Sequence, residues 1–529
     1  MKRATYLLAA VALAAGMATA ANAKTLIYCS EASPEGFDAG AYTSGPTFDA
    51  SSQAVYNRLL EFERGTVNVG PGLAESWKTS ADGKEVTFHL RKGVKFGTTD
   101  YFKPTRALNA DDVVFTFARM LDKSNPYYDY ADWTYFNGNG MDKSVTAIDK
   151  VDDYTVKFTL TGPDALFVFN LATDFASIVS KEYADKLLAA GTREVLNQKP
   201  VGTGPFVFVD YQTDASIRYK SNPDYWRGKT PIDDLVFAIT PDAAVRLQKI
   251  KAGECHVATQ PAVADIAAAK ADSSIVVLEQ AGQNVGFLAY NTQQKPFDDA
   301  RVRKALNMAI NKKAIIEAIY LGTGVVAKNP IPPTLWSYND AIVDDSYDPA
   351  AAKKLLGEAG VPEGFEMSVW AMPVARPYNP SAKRMAEMIQ NDFAEVGVTV
   401  RIVSYAWGEY LKRTQAVDRD GAVLIGWTAD LADPDNFLGV LLGCESVGSN
   451  NRAQWCDKNF NDLIVKAKVI TDQGERSKLY EQAQVIFKDQ APWATIAHAL
   501  NFTLISPKVK NYVMDPVYHY NFAGVDIEE

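Results

Sequence analysis

The sequence has few of the residues on which most enzymatic chemistry depends. Only four histidines occur among 529 residues, and they are scattered at positions 89, 256, 498 and 519. The G-x-S-x-G motif of serine hydrolases and the H-E-x-x-H motif of zinc proteases are both absent from the chain. We therefore expect that the protein is not an enzyme, and a secreted hydrolase is the more distant alternative.

The apolar run near the N-terminus is too short to cross a membrane. Two cations come first, and the run then extends from Tyr6 to about Gly16, whereas a spanning helix needs roughly 18 to 20 residues. The residues Ala21-Asn22-Ala23 that follow have the A-x-A form of a signal-peptide cleavage site. We predict a cleavable signal peptide at residues 1–23 and an exported chain that begins at Lys24. No cysteine stands at this point, so no site for a lipid is expected.

Positive charge is also scarce. The chain has 54 lysines and arginines against 64 aspartates and glutamates, which gives a formal net charge of −10. Removal of the predicted signal peptide takes away Lys2 and Arg3 and leaves 52 cations against 64 acids, or −12. An acidic surface repels nucleic acids and anionic lipids, so neither is expected as a partner.

The chain contains only four cysteines, Cys29, Cys255, Cys444 and Cys456. An even number in an exported protein favours disulfides, because they persist in an oxidising compartment. Cys444 and Cys456 are close enough in sequence to close a short loop, and the pair Cys29 and Cys255 would then tie the mature N-terminus to the middle of the chain. Four buried free thiols are the alternative. A zinc site is not expected, because no C-x-x-C spacing occurs and the histidines are dispersed.

Apolar residues are abundant, at 47% of a chain that is too long for one ordinary core. Two or more lobes are therefore expected. Strand patterns and amphipathic helix patterns follow one another throughout, which indicates the α/β class. The segment 85–96 alternates as a strand, and 109–121 has the pattern of a helix with Asn109 as its N-cap. A new strand-to-helix unit begins at 284–291, so we place a lobe boundary near Gly282.

The second lobe has a regular order of strands, loops and helices. A strand is predicted at 365–370, and it is followed by the proline-rich loop 371–380 and by a helix that ends near Gly397. Two more strands are predicted at 398–405 and 422–427. Strands in an alternating β-α-β chain run parallel, so the loops after the first and the last of these strands leave the same edge of the sheet. Ligands bind at that edge in open α/β sheets.

One of these loops carries Arg376 and the other carries Asp430. A fixed cation and a fixed anion match a zwitterion, whose carboxylate can form two parallel hydrogen bonds with a guanidinium while its ammonium meets an aspartate. Because an extended chain spans roughly 3.3–3.6 Å per residue, a gap of two residues would select dipeptides by length. The alternative is that Asp430 caps a turn and Arg376 pairs with a neighbouring acid. We interpret Asp433 and Asp435 as part of the turn and helix cap that hold Asp430.

Several stretches of the sequence carry a family resemblance. They include "GLAESWKTSADGKEVTFHLRKGVKF", "VGTGPF" and, with much higher specificity, "WAMPVARPYNP" and "GWTADLADPDNF". On these stretches the chain resembles, from Lys24 to its C-terminus, the periplasmic dipeptide-binding proteins of peptide ABC importers, in the large extracellular solute-binding class, family 5.

The resemblance implies roles for particular residues. In that family the arginine of "WAMPVARPYNP" binds the peptide carboxylate and the first aspartate of "GWTADLADPDNF" binds the ammonium, which implies these roles for Arg376 and Asp430. Backbone hydrogen bonds to the ligand are implied for the segment 43–47, as though the peptide added a short strand beside Gly45 and Thr47; an ordinary turn is the alternative. Three aromatic residues are implied in the cavity lining, although each could equally belong to the core: Tyr378, Trp407 and Trp427.

The resemblance further implies an α/β, two-lobed periplasmic-binding-protein fold with a hinge. Residues 24–282 would form the first lobe with an extra subdomain at roughly 56–205, residues 283–499 the second lobe, and residues 500–529 would return to the first. The implied function is capture of dipeptides in the periplasm by a monomer that needs no cofactor and delivers them to an inner-membrane ABC permease. A chemoreceptor is a further partner that the resemblance leaves open. Longer peptides, haem or a metal chelate on the same fold are the nearer alternative.

Three positions depart from the family pattern. Ala429 and Leu431 flank Asp430 where a glycine and an asparagine are expected, and Pro46 stands where the pattern has a residue with a backbone N–H. These changes leave the charged pair intact and bear on which ligand side chains are preferred.

Overall fold

The structure is a computed structural model, and it describes residues 23–470, 472–517 and 519–528. The predicted signal peptide, residues 1–23, lies outside the described residues except for Ala23. Within the described ranges, no helix combines the length and the apolar character needed to cross a bilayer.

One mixed sheet of twelve strands runs through the molecule. Ten of its strands form a continuous path, and two short strands pair with the longest strand outside this path. In order across the sheet, the path consists of Val398–Val403, Phe365–Trp370, Ala422–Thr428, Asn284–Tyr290, Trp493–Ile505, Val257–Thr259, Thr25–Ser30, Asp234–Ile239, Ser216–Ser221 and Phe206–Gln212. The two short strands are Val276–Ala281 and Gly324–Val326. Mixed strands and many helices confirm the predicted α/β class.

The longest strand, Trp493–Ile505, connects the two halves of the sheet. Its first half pairs with Asn284–Tyr290 and Gly324–Val326. Its second half, from Leu500 onwards, pairs with Val257–Thr259 and Val276–Ala281. All but one of its 13 residues are buried, because helices and loops cover both faces of the sheet here.

The buried apolar side chains form two large clusters. The first core contains residues from 26 to 257 together with residues from 505 to 527. The second core contains residues from 285 to 499 and also Val517. The first core is therefore assembled from segments that are far apart in the chain, as the pairing of Cys29 with Cys255 had suggested.

Smaller sheets and helices surround the main sheet. An antiparallel sheet within residues 56–205 consists of Ala74–Thr79, Glu85–Leu90, Thr155–Leu160 and Val145–Asp152. Two-stranded sheets pair Leu60–Phe62 with Val69–Pro71, and Val509–Lys510 with Asp526–Ile527. The helices of eight or more residues are Ala110–Leu121, Lys181–Ala189, Ala243–Lys251, Ala300–Ala309, Pro349–Glu358, Ala382–Glu395, Trp407–Thr414, Asp435–Leu442, Lys458–Lys468 and Gln473–Gln490.

Local sequence signals set the ends of several helices. The predicted N-cap Asn109 accepts a hydrogen bond from the N–H of Asp111, and a full capping box with Asp112 starts the helix Ala110–Leu121. The predicted stop at Gly397 is also observed, because this glycine has a φ of +83° just beyond the helix Ala382–Glu395.

The four cysteines lie in the two predicted pairs. Cys29 and Cys255 lie at disulfide distance with their Cα atoms 5.9 Å apart, and Cys444 and Cys456 likewise with 4.6 Å. The first pair joins a strand of the first core to the residues that precede the strand Val257–Thr259. The second pair closes the loop that follows the helix Asp435–Leu442.

Candidate ligand-binding site

The strands that lead to the two charged loops are parallel neighbours, as predicted. Phe365–Trp370 pairs in parallel with Ala422–Thr428, and Trp370 lies beside Val423. The strand that leads to Asp430 therefore continues well beyond the end of its neighbour. The loop after Trp370 runs back along these last residues, so both loops border the same space.

That space is a cavity of about 220 Å³ with walls from both cores. Arg376 and Asp430 both line it, together with four other residues from the prediction: Gly45, Tyr378, Trp407 and Trp427. A larger cavity of about 460 Å³ is lined entirely by residues between 52 and 231 and between 513 and 524. It contains neither member of the charged pair, so the smaller cavity is the candidate site.

Asp430 is positioned by a buried amide, the side chain of Asn436, and its carboxylate also has the Tyr135 hydroxyl as a hydrogen-bond partner. The Asn436 Oδ1 accepts hydrogen bonds from the N–H of Asp430 at 2.9 Å and from the indole of Trp427 at 3.0 Å. Its Nδ2 donates to the Asp430 carboxylate at 3.4 Å. Asn436 thus ties the end of the strand, the cavity tryptophan and the carboxylate into one unit.

The Asp430 carboxylate has no cationic partner within ion-pair distance among the described residues. Burial raises its pKa to about 6, while the hydrogen bond from Asn436 and the nearby charged His519 oppose this shift. Asp430 is half-buried, and a partly desolvated carboxylate without a counter-ion costs free energy. The alternative in which Asp430 serves only as a turn cap does not explain that cost, since its backbone N–H, and not its carboxylate, makes the close bond.

Asp433 and Asp435 have partners within the protein. Asp433 is buried and forms two contacts of 2.9 Å with the guanidinium of Arg476. It also accepts a hydrogen bond from the N–H of Asp435 at 3.0 Å, where the helix Asp435–Leu442 begins. The carboxylate of Asp435 lies 3.8 Å from the Lys468 ammonium. These contacts agree with the interpretation of both residues as a scaffold.

Arg376 stands on a tight turn. Its N–H donates to the carbonyl of Asn379 at 3.1 Å, and the N–H of Asn379 donates back at 2.9 Å. The guanidinium lies 5.3 Å from the centre of the Trp407 ring, and its hydrogen bond to a protein group is to the Ala375 carbonyl at 3.3 Å. The alternative in which Arg376 pairs with an acid is wrong for the described residues, because none of their carboxylates lies within ion-pair distance.

Tyr378 is held against the sheet by two glycines. A Cβ on Gly426 would lie 2.2 Å from the Tyr378 ring, and a Cβ on Gly286 would lie 2.2 Å from the Tyr378 carbonyl oxygen. That carbonyl also accepts a hydrogen bond of 2.6 Å from the hydroxyl of Tyr320. The close approach that only glycine permits therefore sets the position of the turn that carries Arg376.

The segment 43–47 differs from the extended form that was predicted. A short helix, Gly45–Ala50, begins here, and the N–H groups of Thr47 and Phe48 donate to the carbonyl of Ser44. The backbone N–H of Thr47 is used within the helix and not for a ligand, and backbone contacts from the rest of the segment stay a prediction. Ser44 itself is extended and lines the cavity beside Pro46, which has no N–H to offer.

Thr47 is the predicted ligand residue that does not line the cavity. It is completely buried, and its hydroxyl oxygen accepts hydrogen bonds from the N–H of Glu35 and the hydroxyl of Ser44. Its side chain therefore stabilises the segment 43–47 from the protein interior and does not contact the cavity. Of the two departures beside Asp430, Ala429 lines the cavity, whereas Leu431 is buried outside the lining.

Sequence reasoning missed three ionisable residues of the cavity wall: Glu31, whose Oε1 accepts a hydrogen bond from Gln260 at 3.1 Å, and two residues from distant segments, His519 and Arg452. His519 arrives from the C-terminal segment, and its Nε2 lies 3.1 Å from the Asp174 carboxylate. Although burial opposes the charged form, the carboxylates of Asp174, Asp515 and Asp49 raise the pKa of His519 to about 10. Arg452 also lines the cavity and is buried. Neither belongs to a motif, so only the packing of distant segments reveals them.

Comparison with known proteins gives the family. The sequence model of bacterial extracellular solute-binding proteins, family 5 middle, matches residues 68–449. The chain is 54% identical to the dipeptide-binding protein of Escherichia coli over 515 residues, which cover 97% of this chain and 96% of that protein. It is 49% identical to heme-binding protein A of Haemophilus influenzae over 513 residues, with 97% and 94% covered.

A solved structure agrees with these matches. The dipeptide binding protein from Pseudoalteromonas sp. SM9913, in complex with Met-Leu, superposes with a TM-score of 0.91 at 41% identity, covering 96% of this chain and all of that chain (100%). This similarity confirms the predicted periplasmic-binding-protein fold. The family match over most of the chain and the high identity to whole relatives lead to one conclusion: the chain belongs to the bacterial extracellular solute-binding proteins of family 5.

Proposed function

We propose that this protein captures dipeptides between two lobes and delivers them to an ABC permease. The carboxylate of the peptide binds Arg376, its ammonium binds Asp430, and Tyr378, Trp407 and Trp427 enclose the residues between. Ser44 and Gly45 line the side of the site that belongs to the first lobe. The names of the E. coli relative and of the Pseudoalteromonas complex support this ligand class.

One observation carries the proposal. The same cavity has a guanidinium and a carboxylate on its wall, and neither has a counter-ion among the described residues. A zwitterion of the right length supplies both counter-ions at once, with charge-assisted hydrogen bonds at each end. A longer peptide, haem or a metal chelate has no need for two opposite charges at a fixed separation.

The capture mechanism follows from the two cores. Residues 24–282 with 500–529 form one lobe, whose residues 56–205 are the extra subdomain, and residues 283–499 form the other. A ligand between the lobes favours the closed form, because only that form contacts it from both sides. The mature protein acts in the periplasm as a monomer without a cofactor, after removal of residues 1–23, and the closed form docks on the permease. Recognition by a chemoreceptor stays an open prediction.

Calorimetric titration of the exported protein with Ala-Ala tests the proposal. We expect binding of one equivalent and recovery of the dipeptide intact, whereas cleavage would identify a hydrolase. Haem is the control ligand, because a relative named heme-binding protein A shares 49% identity. Binding of haem in competition with Ala-Ala, or the absence of Ala-Ala binding, would refute a site built for dipeptides.

Loss of the Arg376 charge should weaken binding through the carboxylate end. For Arg376→Gln we expect about tenfold weaker binding of Ala-Ala, since a charge-assisted hydrogen bond contributes roughly 1.5–3 kcal/mol and this guanidinium keeps part of its solvent contact. Ala-Ala amide, which lacks the carboxylate, should bind the wild type poorly and lose little further on the variant. Equal losses for both ligands would assign Arg376 to the fold and not to the carboxylate.

Binding should also depend on pH through Asp430. Its pKa of about 6 in the empty site means that acidification protonates the carboxylate that receives the ammonium. The neighbouring His519 has a pKa of about 10 and keeps its charge over this range, and the peptide carboxylate stays ionised above pH 4. We expect about tenfold weaker binding at pH 5 than at pH 7, measured by calorimetry. Asp430→Asn should lose most of this pH dependence.

A further inference from the structure

A second cation without a counter-ion lines the cavity, and this one is buried. Arg452 has 5% of its surface exposed and belongs to the cavity wall. Among the described residues, no carboxylate lies within ion-pair distance of its guanidinium. Its Nη1 donates to the Ser449 carbonyl, whereas its Nε has no hydrogen-bond partner in the protein.

Three other buried arginines, Arg119, Arg246 and Arg303, use all of their guanidinium nitrogens within the protein. Arg119 forms an ion pair with Asp38. Arg246 and Arg303 have no such pair, but all three guanidinium nitrogens of each donate to backbone carbonyls. Arg452 differs from these three because most of its donors have no partner in the protein. The Nε of Arg58 and of Arg419 also lacks a partner, but neither of those residues lines this cavity. A buried guanidinium whose N–H groups lack acceptors costs free energy, unless a ligand accepts hydrogen bonds from them.

The surroundings add positive charge near Arg452. The guanidinium of Arg419 donates to the Arg452 carbonyl at 2.7 Å, and burial together with this neighbouring charge lowers the pKa of Arg452 to about 10, so the group is still charged at neutral pH. The buried Tyr378 has a pKa raised by burial and lowered by the charges of both Arg376 and Arg452. Arg376, Tyr378 and Arg452 all line the same cavity, and Tyr378 is two residues from Arg376, so we assign these three residues to the carboxylate end of the proposed ligand.

The loop that presents Arg452 is rigid. Cys444 and Cys456 close it, and the side chain of Asn451 donates to the carbonyls of Gly443 at 3.1 Å and Trp455 at 2.7 Å. These contacts fix the backbone next to Arg452, and Arg452 itself is only 5% exposed. Its position is therefore a property of the site and not of a flexible surface side chain.

We propose that Arg452 binds a second carboxylate, and that it gives the cavity a preference for dipeptides whose second residue is aspartate or glutamate. This inference rests on the proposed dipeptide function, in which Arg376 takes the main-chain carboxylate. The side chain of the second residue leaves the backbone next to that carboxylate, so an acid there lies at the end of the cavity with both arginines. An acid on the first residue would instead lie near Asp430, which repels it.

Matched dipeptides test the preference without any mutation. Calorimetric titration of the wild type should show Ala-Glu binding about tenfold tighter than Ala-Gln, as expected for one added charge-assisted contact. Glu-Ala should show no such advantage over Gln-Ala. Equal affinities for Ala-Glu and Ala-Gln would overturn the inference and leave the proposed function intact, whereas failure of every dipeptide to bind would refute the proposed function itself.

Variants of Arg452 and of Arg419 then assign the effect to Arg452. For Arg452→Gln we expect the advantage of Ala-Glu over Ala-Gln to disappear while Ala-Gln binds within about threefold of its wild-type affinity. Arg419→Gln is the matched control, because that arginine is also buried but does not line the cavity, and it should keep the advantage. Equal weakening of Ala-Glu and Ala-Gln by Arg452→Gln would show that Arg452 binds the main-chain carboxylate or supports the loop, and would overturn the inference. Arg452→Lys, which keeps the cation, should retain part of the advantage if Arg452→Gln does not fold.

Discussion

Asp430→Asn should weaken dipeptide binding by about ten- to a hundredfold. The carboxylate is half-buried, is held by Asn436 and has no cation within ion-pair distance among the described residues, so the ligand ammonium would be its counter-ion. A charge-assisted contact contributes roughly 1.5–3 kcal/mol, and a desolvated ammonium without a partner costs more. Calorimetric titration with Ala-Ala measures the loss. N-acetyl-Ala-Ala should bind the wild type poorly and lose little further on the variant, because its ammonium is already gone.

The same substitution should not lower the stability of the empty protein. A carboxylate whose pKa is raised to about 6 in the fold contributes stability at low pH that is lost as the pH rises from about 4 to about 6. At pH 7 the charge of Asp430 therefore destabilises the empty site. We expect the melting temperature of Asp430→Asn to equal or exceed that of the wild type at pH 7, and this gain to vanish near pH 4.

Asp433→Asn is the matched control on the same loop. It removes the partner of the buried Arg476, and breaking one side of a buried ion pair costs about 3–5 kcal/mol. The variant should therefore melt at a lower temperature and still distinguish Ala-Ala from its N-acetylated form. If Asp430→Asn instead loses as much affinity for the acetylated ligand as for the free one, Asp430 is a structural residue and the zwitterion site is wrong.

Replacing both Cys29 and Cys255 by alanine should reduce the free energy of unfolding by about 5 kcal/mol. The two residues are 226 positions apart, so a disulfide between them removes much of the freedom of the unfolded chain. Urea unfolding of the oxidised variant, followed by tryptophan fluorescence, measures the change. The equivalent change at Cys444 and Cys456, which are 12 positions apart, should cost only about 3 kcal/mol.

Peptide mapping of the exported protein provides the independent control for this prediction. The unfolded protein should show no free thiol before reduction, and mapping should recover Cys29 with Cys255 and Cys444 with Cys456. Recovery of Cys29 joined to Cys444 would contradict the pairing. It would also contradict a first lobe built from the distant segments that these cysteines connect.

Much of the site could be predicted because its two charges follow strands of one local unit. The period-two pattern at 365–370 and the apolar run before Trp427 predict parallel strands, and parallel strands send their loops from the same edge. That argument needs only neighbouring elements, so it places Arg376 and Asp430 on one rim without knowledge of the rest of the chain. The cysteine pairs could be predicted for a similar reason, since four cysteines allow few pairings.

The sequence by itself determined the elements, the charge, the cysteine pairs and the two candidate anchors, because each depends on short-range pattern or on composition. Only the tertiary structure decided what surrounds the anchors. The helix Gly45–Ala50 turns Thr47 away from the cavity, and His519 and Arg452 reach its wall from the C-terminal segment and from a closed loop. Such contacts join residues separated by tens to hundreds of positions, and no local pattern records which distant side chains pack together. The missing counter-ions of Arg376, Asp430 and Arg452 are likewise visible only after every neighbour is in place.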